Sequence, residues 1–419
     1  MRPATVPQPD SAPAPAPFGA VRLALVLSLG AAVSLGITRF AYGLLLPPMR
    51  DDLGWSYALA GAMNTSNAAG YLLGALLTPL LLRRARPGSV MLAGALAASV
   101  LMALCGLFTG TGVWLLQRLA AGVTSALVFI TGGLLAARLA AGEPSRAGLL
   151  IGLYYGGTGL GISLSALVVP FALHAAAEQP HAWAFAWAAL AVLCFIGTGL
   201  LRWVVRQREA ADRGASSGTT PSVTAAGTEG AAVPLRRFAF ALAGYGMFGM
   251  GYIGYMTFIV ALLREQGMAG NTIMAFYALL GIAVMASPRL WAGLLDRYRD
   301  GRPLALLNTL LGAATLAPAL SDAWPVVLVS GVLFGAVFLS IVASTTAWVR
   351  HNLPSHQWAS GIGAFTIVFA AGQIVGPTVV GWIADGPGGL ARGFIVSALA
   401  LWLGAVLAFR QRALTAAAR

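Results

Sequence analysis

Twelve stretches of nearly unbroken apolar residues succeed one another along this chain of 419 residues. A helix of about 20 apolar residues crosses the hydrocarbon core of a bilayer. Lipid offers no hydrogen bonds, so backbone inside it must satisfy itself, and a helix does. The stretches lie near residues 20–47, 57–82, 88–109, 112–138, 147–173, 182–204, 237–263, 272–295, 303–320, 324–349, 357–384 and 390–409. Only 9% of the residues are charged, against about 25% in a soluble domain. That is too little polar surface for a water-soluble fold. The pattern predicts an all-α integral membrane protein of twelve spans.

The connections are short except for 205–236, rich in Ser, Thr, Gly and Arg, which reads as a flexible cytoplasmic linker. It divides the chain into two six-helix bundles, 18–204 and 237–410, with a disordered Pro/Ala-rich tail at 1–17 and a short tail at 411–419. The first apolar stretch is too long for a signal peptide and no small-residue cleavage site closes it, so it is the first span. All 26 basic residues are Arg. With the N-terminus inside, 20 of them fall on the cytoplasmic side, three outside (Arg50, Arg264, Arg392) and three within spans. This bias predicts a multi-pass protein of the bacterial inner membrane with both termini cytoplasmic. The net charge of +13 comes from scattered Arg with no basic stripe, so a nucleic-acid partner is not expected. Cys105 and Cys194 lack paired spacing, and neither a disulfide, a metal nor a cofactor is expected. The protein is read as a monomer in the lipid bilayer.

Arg39, Arg118 and Arg289 each lie inside an apolar span, and no Asp or Glu lies at that depth. A charge near the midplane costs about 2.5–3.5 kcal/mol on insertion scales and normally lines a cavity with a partner. The simplest missing partner is a bound anionic solute, which points to a transporter.

The halves echo one another. Gly148, Gly157 and Gly161 in span 5 have the spacing of Gly363, Gly372 and Gly376 in span 11, the latter followed by Pro377. Tyr42 and Gly54 around the end of span 1 match Tyr255 and Gly267 around the end of span 7 at a constant offset. Such echoes are the trace of a duplicated bundle. Six plus six spans with a long linker resemble the major facilitator superfamily. Its loop signature after span 8 stands as Asp296-Arg297 with Gly301-Arg302. After span 2 the aligned acidic position is Thr78, and only Arg83 and Arg84 remain. Arg118 with Gly122 resembles the superfamily's fourth-span Arg motif, and Gly376-Pro377 its antiporter-type glycine motif, shifted to span 11. Arg39-Phe40-Ala41-Tyr42-Gly43 and Asn64-Thr65-Ser66-Asn67-Ala68-Ala69-Gly70-Tyr71 resemble the bacterial YbfB/YjiJ-type branch. The resemblance implies the major facilitator fold and a transporter, and no substrate. In that superfamily the Arg118 position is linked to proton coupling or to structural locking, and both roles stay open.

Helix geometry selects the candidate substrate contacts. Arg39 and Tyr42 share one face of span 1, and Asn64, Asn67 and Tyr71 form a polar stripe along span 2. The stripe faces either a cavity or another helix as interhelical glue. Arg289, after Ser287-Pro288, resembles the anion-binding Arg of monocarboxylate and oxalate/formate transporters, the alternative being a side chain that snorkels to the inner surface. A guanidinium suits a carboxylate because its planar fork donates two parallel bonds. Arg118, Tyr155, Tyr255 and Gln373 complete the substrate set, and Arg39 and Arg289, on spans of opposite halves, are expected to face one central cavity and hold the anion between them. Asp296 and Arg297 are read as a cytoplasmic lock, and Gly376 and Pro377 as gating residues.

These residues predict a secondary active transporter working by alternating access on a small organic anion such as a monocarboxylate. A coupling proton or a counter-anion is the expected co-substrate. The alternative is a proton-coupled drug or metabolite efflux pump, which normally wants a buried carboxylate that this chain lacks. No nucleophile elbow, phosphate loop or metal-ligand spacing suggests an enzyme.

Overall fold

The computed structural model describes residues 19–215, 235–354 and 357–414. The predicted tail at 1–17 and the middle of the predicted linker lie outside them. Among the described residues twelve helices are long and apolar enough to cross a membrane. They are span 1 (Ala20–Leu53), span 2 (Tyr57–Leu82), span 3 (Pro87–Leu104), span 4 (Thr111–Ala141), span 5 (Ala147–Ala175) and span 6 (Ala182–Ala215). The second half holds span 7 (Leu235–Glu265), span 8 (Gly270–Arg297), span 9 (Arg302–Leu320), span 10 (Trp324–Asn352), span 11 (Trp358–Ala384) and span 12 (Gly389–Phe409). The membrane end at which spans 6 and 7 are joined is the linker side, and the opposite end the far side.

Three boundaries differ most from the sequence reading, the first being that span 1 runs past residue 47 to Leu53. Span 6 continues as helix to Ala215, because residues 205–215 are rich in good helix formers (Arg, Ala, Gln, Glu) despite their polarity. Span 3 stops at Leu104, where Gly106 and Gly110 break the pattern.

A larger difference lies inside span 1. The expected single helix is a π-helical segment over Ala32–Ile37 followed by a turn at 38–40, after which α-helix resumes at Ala41. Thr38 and Phe40 donate their N–H groups five residues back, to Val33 O and Leu35 O, both at 3.0 Å. The Thr38 hydroxyl also bonds Val33 O, at 2.7 Å, and so competes with the regular ladder. Arg39 sits in this break. Short π-bulges inside α-helices are frequent at functional sites.

The repeat is visible in three dimensions. Gly54 and Gly267 both close their helices with left-handed backbone (φ 64° and 77°). The next residue bonds back in each case, Trp55 N to Arg50 O and Met268 N to Leu263 O, at 3.0 Å. The glycine echo is a helix contact. A Cβ on Gly157 or Gly161 would overlap the carbonyls of Ser28 or Ala32 in span 1, and one on Gly372 or Gly376 those of Gly246 or Met250 in span 7. The small residues let the backbones of spans 1 and 5, and of 7 and 11, approach within each half.

The halves meet chiefly through spans 1 and 7, 2 and 11, and 5 and 8. Their tight contacts lie at mid-depth and on the far side. There Gly61 abuts Pro377, Gly159 abuts Gly281, and the Ser163 hydroxyl bonds Ala278 O at 3.0 Å. Toward the linker side the same helices part. A Cβ built on Gly148, Gly152, Gly293 or Gly363 would meet nothing within 4 Å. The protein is therefore closed on the far side and open on the linker side.

Candidate substrate site

Arg118 and Arg39 are both buried, 1% and 3% exposed, and their surroundings differ. Arg118 donates to Thr38 O at 2.9 Å and to Asn64 Oδ1 at 3.2 Å, and its guanidinium lies 4.9 Å from the centre of the Tyr42 ring. It therefore caps a carbonyl that the break in span 1 leaves free, and spreads its charge over an amide and an aromatic face. Asn64 passes the link on by donating to Thr257 Oγ1 of span 7 at 2.7 Å. Asn67 donates to Arg118 O at 3.1 Å. The stripe on span 2 is thus divided, with Asn64 and Asn67 acting as interhelical connections and Tyr71 facing a more open space.

Arg39 has a sparser shell. It donates to Gln373 Oε1 of span 11, lies 5.6 Å from the centre of the Tyr71 ring, and leaves its Nε without a partner. Among the described residues no carboxylate pairs with it. A buried guanidinium held by one neutral amide retains most of its capacity to bind an anion.

The tyrosine hydroxyls divide into structural and available groups. Tyr42 donates to Ala60 O (2.9 Å), Tyr154 to Phe129 O (2.7 Å) and Tyr277 to Phe40 O (2.8 Å), while Tyr255 shares a hydrogen with Ser330 (2.8 Å). Tyr277 gives Phe40 O a second donor beside the Gly43 N–H (3.2 Å), and does so from the opposite half. Tyr71, Tyr155 and Tyr252 have no such partner among the described residues; Tyr71 and Tyr155 are half-buried and Tyr252 is buried. Tyr155 and Tyr252 lie within electrostatic range of Tyr71, and Tyr252 within that of Arg39.

The structure thus redistributes the predicted contacts. Arg39, Tyr71, Tyr155 and Gln373 come together where the halves part. Tyr42 and Tyr255 do not line that space: both are fully buried, and Tyr255 stacks on Phe334 at 4.0 Å. Arg118 is sealed inside the first half. Arg289 is exposed, one turn beyond Met285, which lies against Gly156 and Gly159 of span 5. It therefore stands on the face of span 8 turned toward the first half, below the level at which spans 5 and 8 separate. Its depth differs from that of Arg39, so the two do not clasp one point. Gly376 packs spans 7 and 11 together, whereas the Pro377 carbonyl meets Gly61 across the halves. Asp296 and Arg297 are exposed on the linker side and form no ion pair among the described residues.

Sequence reasoning missed the far-side closure. The Asp385 carboxylate, at the end of span 11, accepts the backbone N–H groups of Tyr57 (2.7 Å) and Ala58 (2.8 Å) at the start of span 2. The Tyr57 hydroxyl donates to Glu265 at the end of span 7. A carboxylate at a helix N-terminus meets free N–H groups and the positive end of the helix dipole. The only hint in the chain is that Asp385 precedes Gly386-Pro387, a helix stop, and nothing local names its partner.

Comparison with known proteins gives this architecture its family. The family model described as "Uncharacterised MFS-type transporter YbfB" matches residues 31–409. The chain belongs to this branch of the major facilitator superfamily. The YbfB-type chain is also similar to solved transporters at low identity. With tetrameric PepTSo2 it shares 15% identity at a TM-score of 0.69, covering 93% of this chain and 96% of the other. With a bacterial homologue of the human lysosomal transporter Spinster, in its inward-facing and unoccupied conformation, it shares 15% identity at 0.67, covering 93% and 95%. With the nucleoside transporter NupG the values are 13% and 0.65, covering 94% and 99%. These likenesses give the fold. No curated protein matches the sequence.

Proposed function

We propose that this YbfB-type transporter moves a small organic anion by alternating access, with Arg39 as the principal anion contact. The carrying observation is a buried guanidinium at a helix break between the halves, bonded to a neutral amide and lacking a carboxylate. Substrate sites in such transporters lie near the midplane at the repeat interface, where a discontinuous helix exposes polar groups. Arg118 keeps the break in shape by capping Thr38 O, and Tyr277 ties Phe40 O to the opposite half. Arg289, exposed in the open vestibule, draws anions inward by long-range attraction. Gln373 keeps Arg39 oriented until a carboxylate displaces it from the guanidinium.

The chain has 13 acidic residues, and each lies in a tail, a loop or near a helix end. This composition favours an anion carrier over a pump for lipophilic cations. It also makes a proton bound by the substrate itself, or exchange against a second anion, the simpler coupling mode. Asp296 and Arg297 serve in this reading as a linker-side lock that engages when the vestibule closes.

The test is uptake of labelled carboxylates into proteoliposomes, with and without internal carboxylate and with an imposed pH gradient. Saturable carboxylate uptake is expected. Uptake of organic cations in its place would overturn the assignment.

The linker side is proposed to be cytoplasmic, on the strength of the Arg asymmetry. Cysteines placed at Thr220 and at exposed Asn271 on the far side check this against a quiet background, since Cys105 and Cys194 are buried. In intact cells an impermeant maleimide is expected to label the Asn271 position alone. Labelling at Thr220 instead would invert the topology.

A further inference from the structure

We infer that the anion is an aromatic carboxylate carrying a second polar group, held by Arg39 with its ring between aromatic side chains and its substituent on the free tyrosine hydroxyls. This rests on the anion-transporter reading above and narrows it. Tyr71 of span 2 lies 5.6 Å from Arg39, and Phe129 of span 4, Tyr155 of span 5 and Phe369 of span 11 are half-buried on the neighbouring spans. Phe129 and Tyr155 are packed with ring centres 5.4 Å apart. Phe369 packs on three rings of span 7, those of Tyr245 (4.9 Å), Phe248 (5.3 Å) and Tyr252 (5.7 Å). Both halves thus contribute rings around this region.

The polar groups are as selective as the walls. Arg39 is buried and has no carboxylate partner, and among the described residues the hydroxyls of Tyr71, Tyr155 and Tyr252 show no hydrogen bond. A hydroxyl-lined site discriminates against ligands that leave its polar groups unpaired, far more strongly than an apolar pocket discriminates by size. A simple short-chain monocarboxylate would satisfy the guanidinium and leave these hydroxyls and ring faces unused. A planar ring fills the gap between aromatic faces in the offset or edge-on geometries such rings prefer. A hydroxyl or carbonyl on that ring meets the tyrosines.

The full-length protein reconstituted in proteoliposomes tests this with four probes: acetate, cyclohexanecarboxylate, benzoate and 4-hydroxybenzoate. Half-saturation should fall at least tenfold from cyclohexanecarboxylate to benzoate, which match in size and charge, and further with 4-hydroxybenzoate. Tyr252→Phe and Tyr71→Phe keep the rings, so at least one should abolish the ratio by which 4-hydroxybenzoate is preferred over benzoate, with thermal unfolding of the unliganded protein unchanged. Equal handling of cyclohexanecarboxylate and benzoate would overturn the aromatic assignment while leaving the anion transporter standing. Retention of the hydroxyl preference in both Phe variants would overturn the tyrosine role. Failure of every carboxylate to be carried would remove the underlying transport reading, and this inference with it.

Discussion

Arg39→Gln is expected to reduce carboxylate affinity about 100-fold, with the folded protein intact. A charge-assisted hydrogen bond contributes about 1.5–3 kcal/mol, and a guanidinium makes two such bonds to a carboxylate. Losing about 3 kcal/mol corresponds to roughly a 100-fold weaker complex. Lysine at the same position keeps the charge and loses the fork, so Arg39→Lys should fall between the parent and the glutamine variant. The unliganded protein should be no less stable than the parent, because the substitution removes an uncompensated buried charge. These two readouts separate a substrate contact from a structural one. Substrate titrations followed by uptake and by thermal shift give both. Unchanged half-saturation in Arg39→Gln would exclude Arg39 as the anion's partner. A collapse of the unliganded fold would make Arg39 a brace of the span 1 break, like Arg118.

Gly61→Leu is expected to hold the far side open and stop turnover. A Cβ on Gly61 would overlap the carbonyl of Pro377 across the halves. Backbone on both sides leaves no flexible side chain to move aside, so the strain is relieved by separating spans 2 and 11. Overpacking costs about 1–3 kcal/mol, which shifts a two-state equilibrium roughly 5- to 150-fold. Thr378 gives the readout, since its hydroxyl lies 2.8 Å from that of Thr65 in the closed interface. A cysteine there should react faster with an impermeant maleimide from the far side in the Gly61→Leu background. Gly157→Leu, whose Cβ would overlap Ser28 O within one half, should instead impair folding. Unchanged labelling and transport in Gly61→Leu would mean that this contact does not control access.

The apolar stretches alone determined the class and the number of spans, because a backbone in lipid has few ways to satisfy its hydrogen bonds, and motifs such as Arg39-Phe40-Ala41-Tyr42-Gly43 pointed to the family. The spacing of Gly157 and Gly161 against Gly372 and Gly376 exposed the duplication, since close helix contacts demand small residues at fixed intervals. The unbalanced arginines were equally legible, because a charge among apolar residues stands out in any sequence. What the chain could not tell was which arginine is spent on the protein. Arg118 and Arg39 look alike in sequence, and only the π-helical break in span 1 supplies Arg118 with Thr38 O and leaves Arg39 beside Gln373. The same holds for the tyrosines. Tyr42 and Tyr255 are fully buried with bonded hydroxyls, whereas Tyr71 and Tyr155 face the gap. Asp385 reads as an ordinary helix end until span 2 is brought against it. Local patterns fix what a residue can offer. Contacts between residues hundreds of positions apart decide whether that capacity is consumed within the protein or left for a ligand.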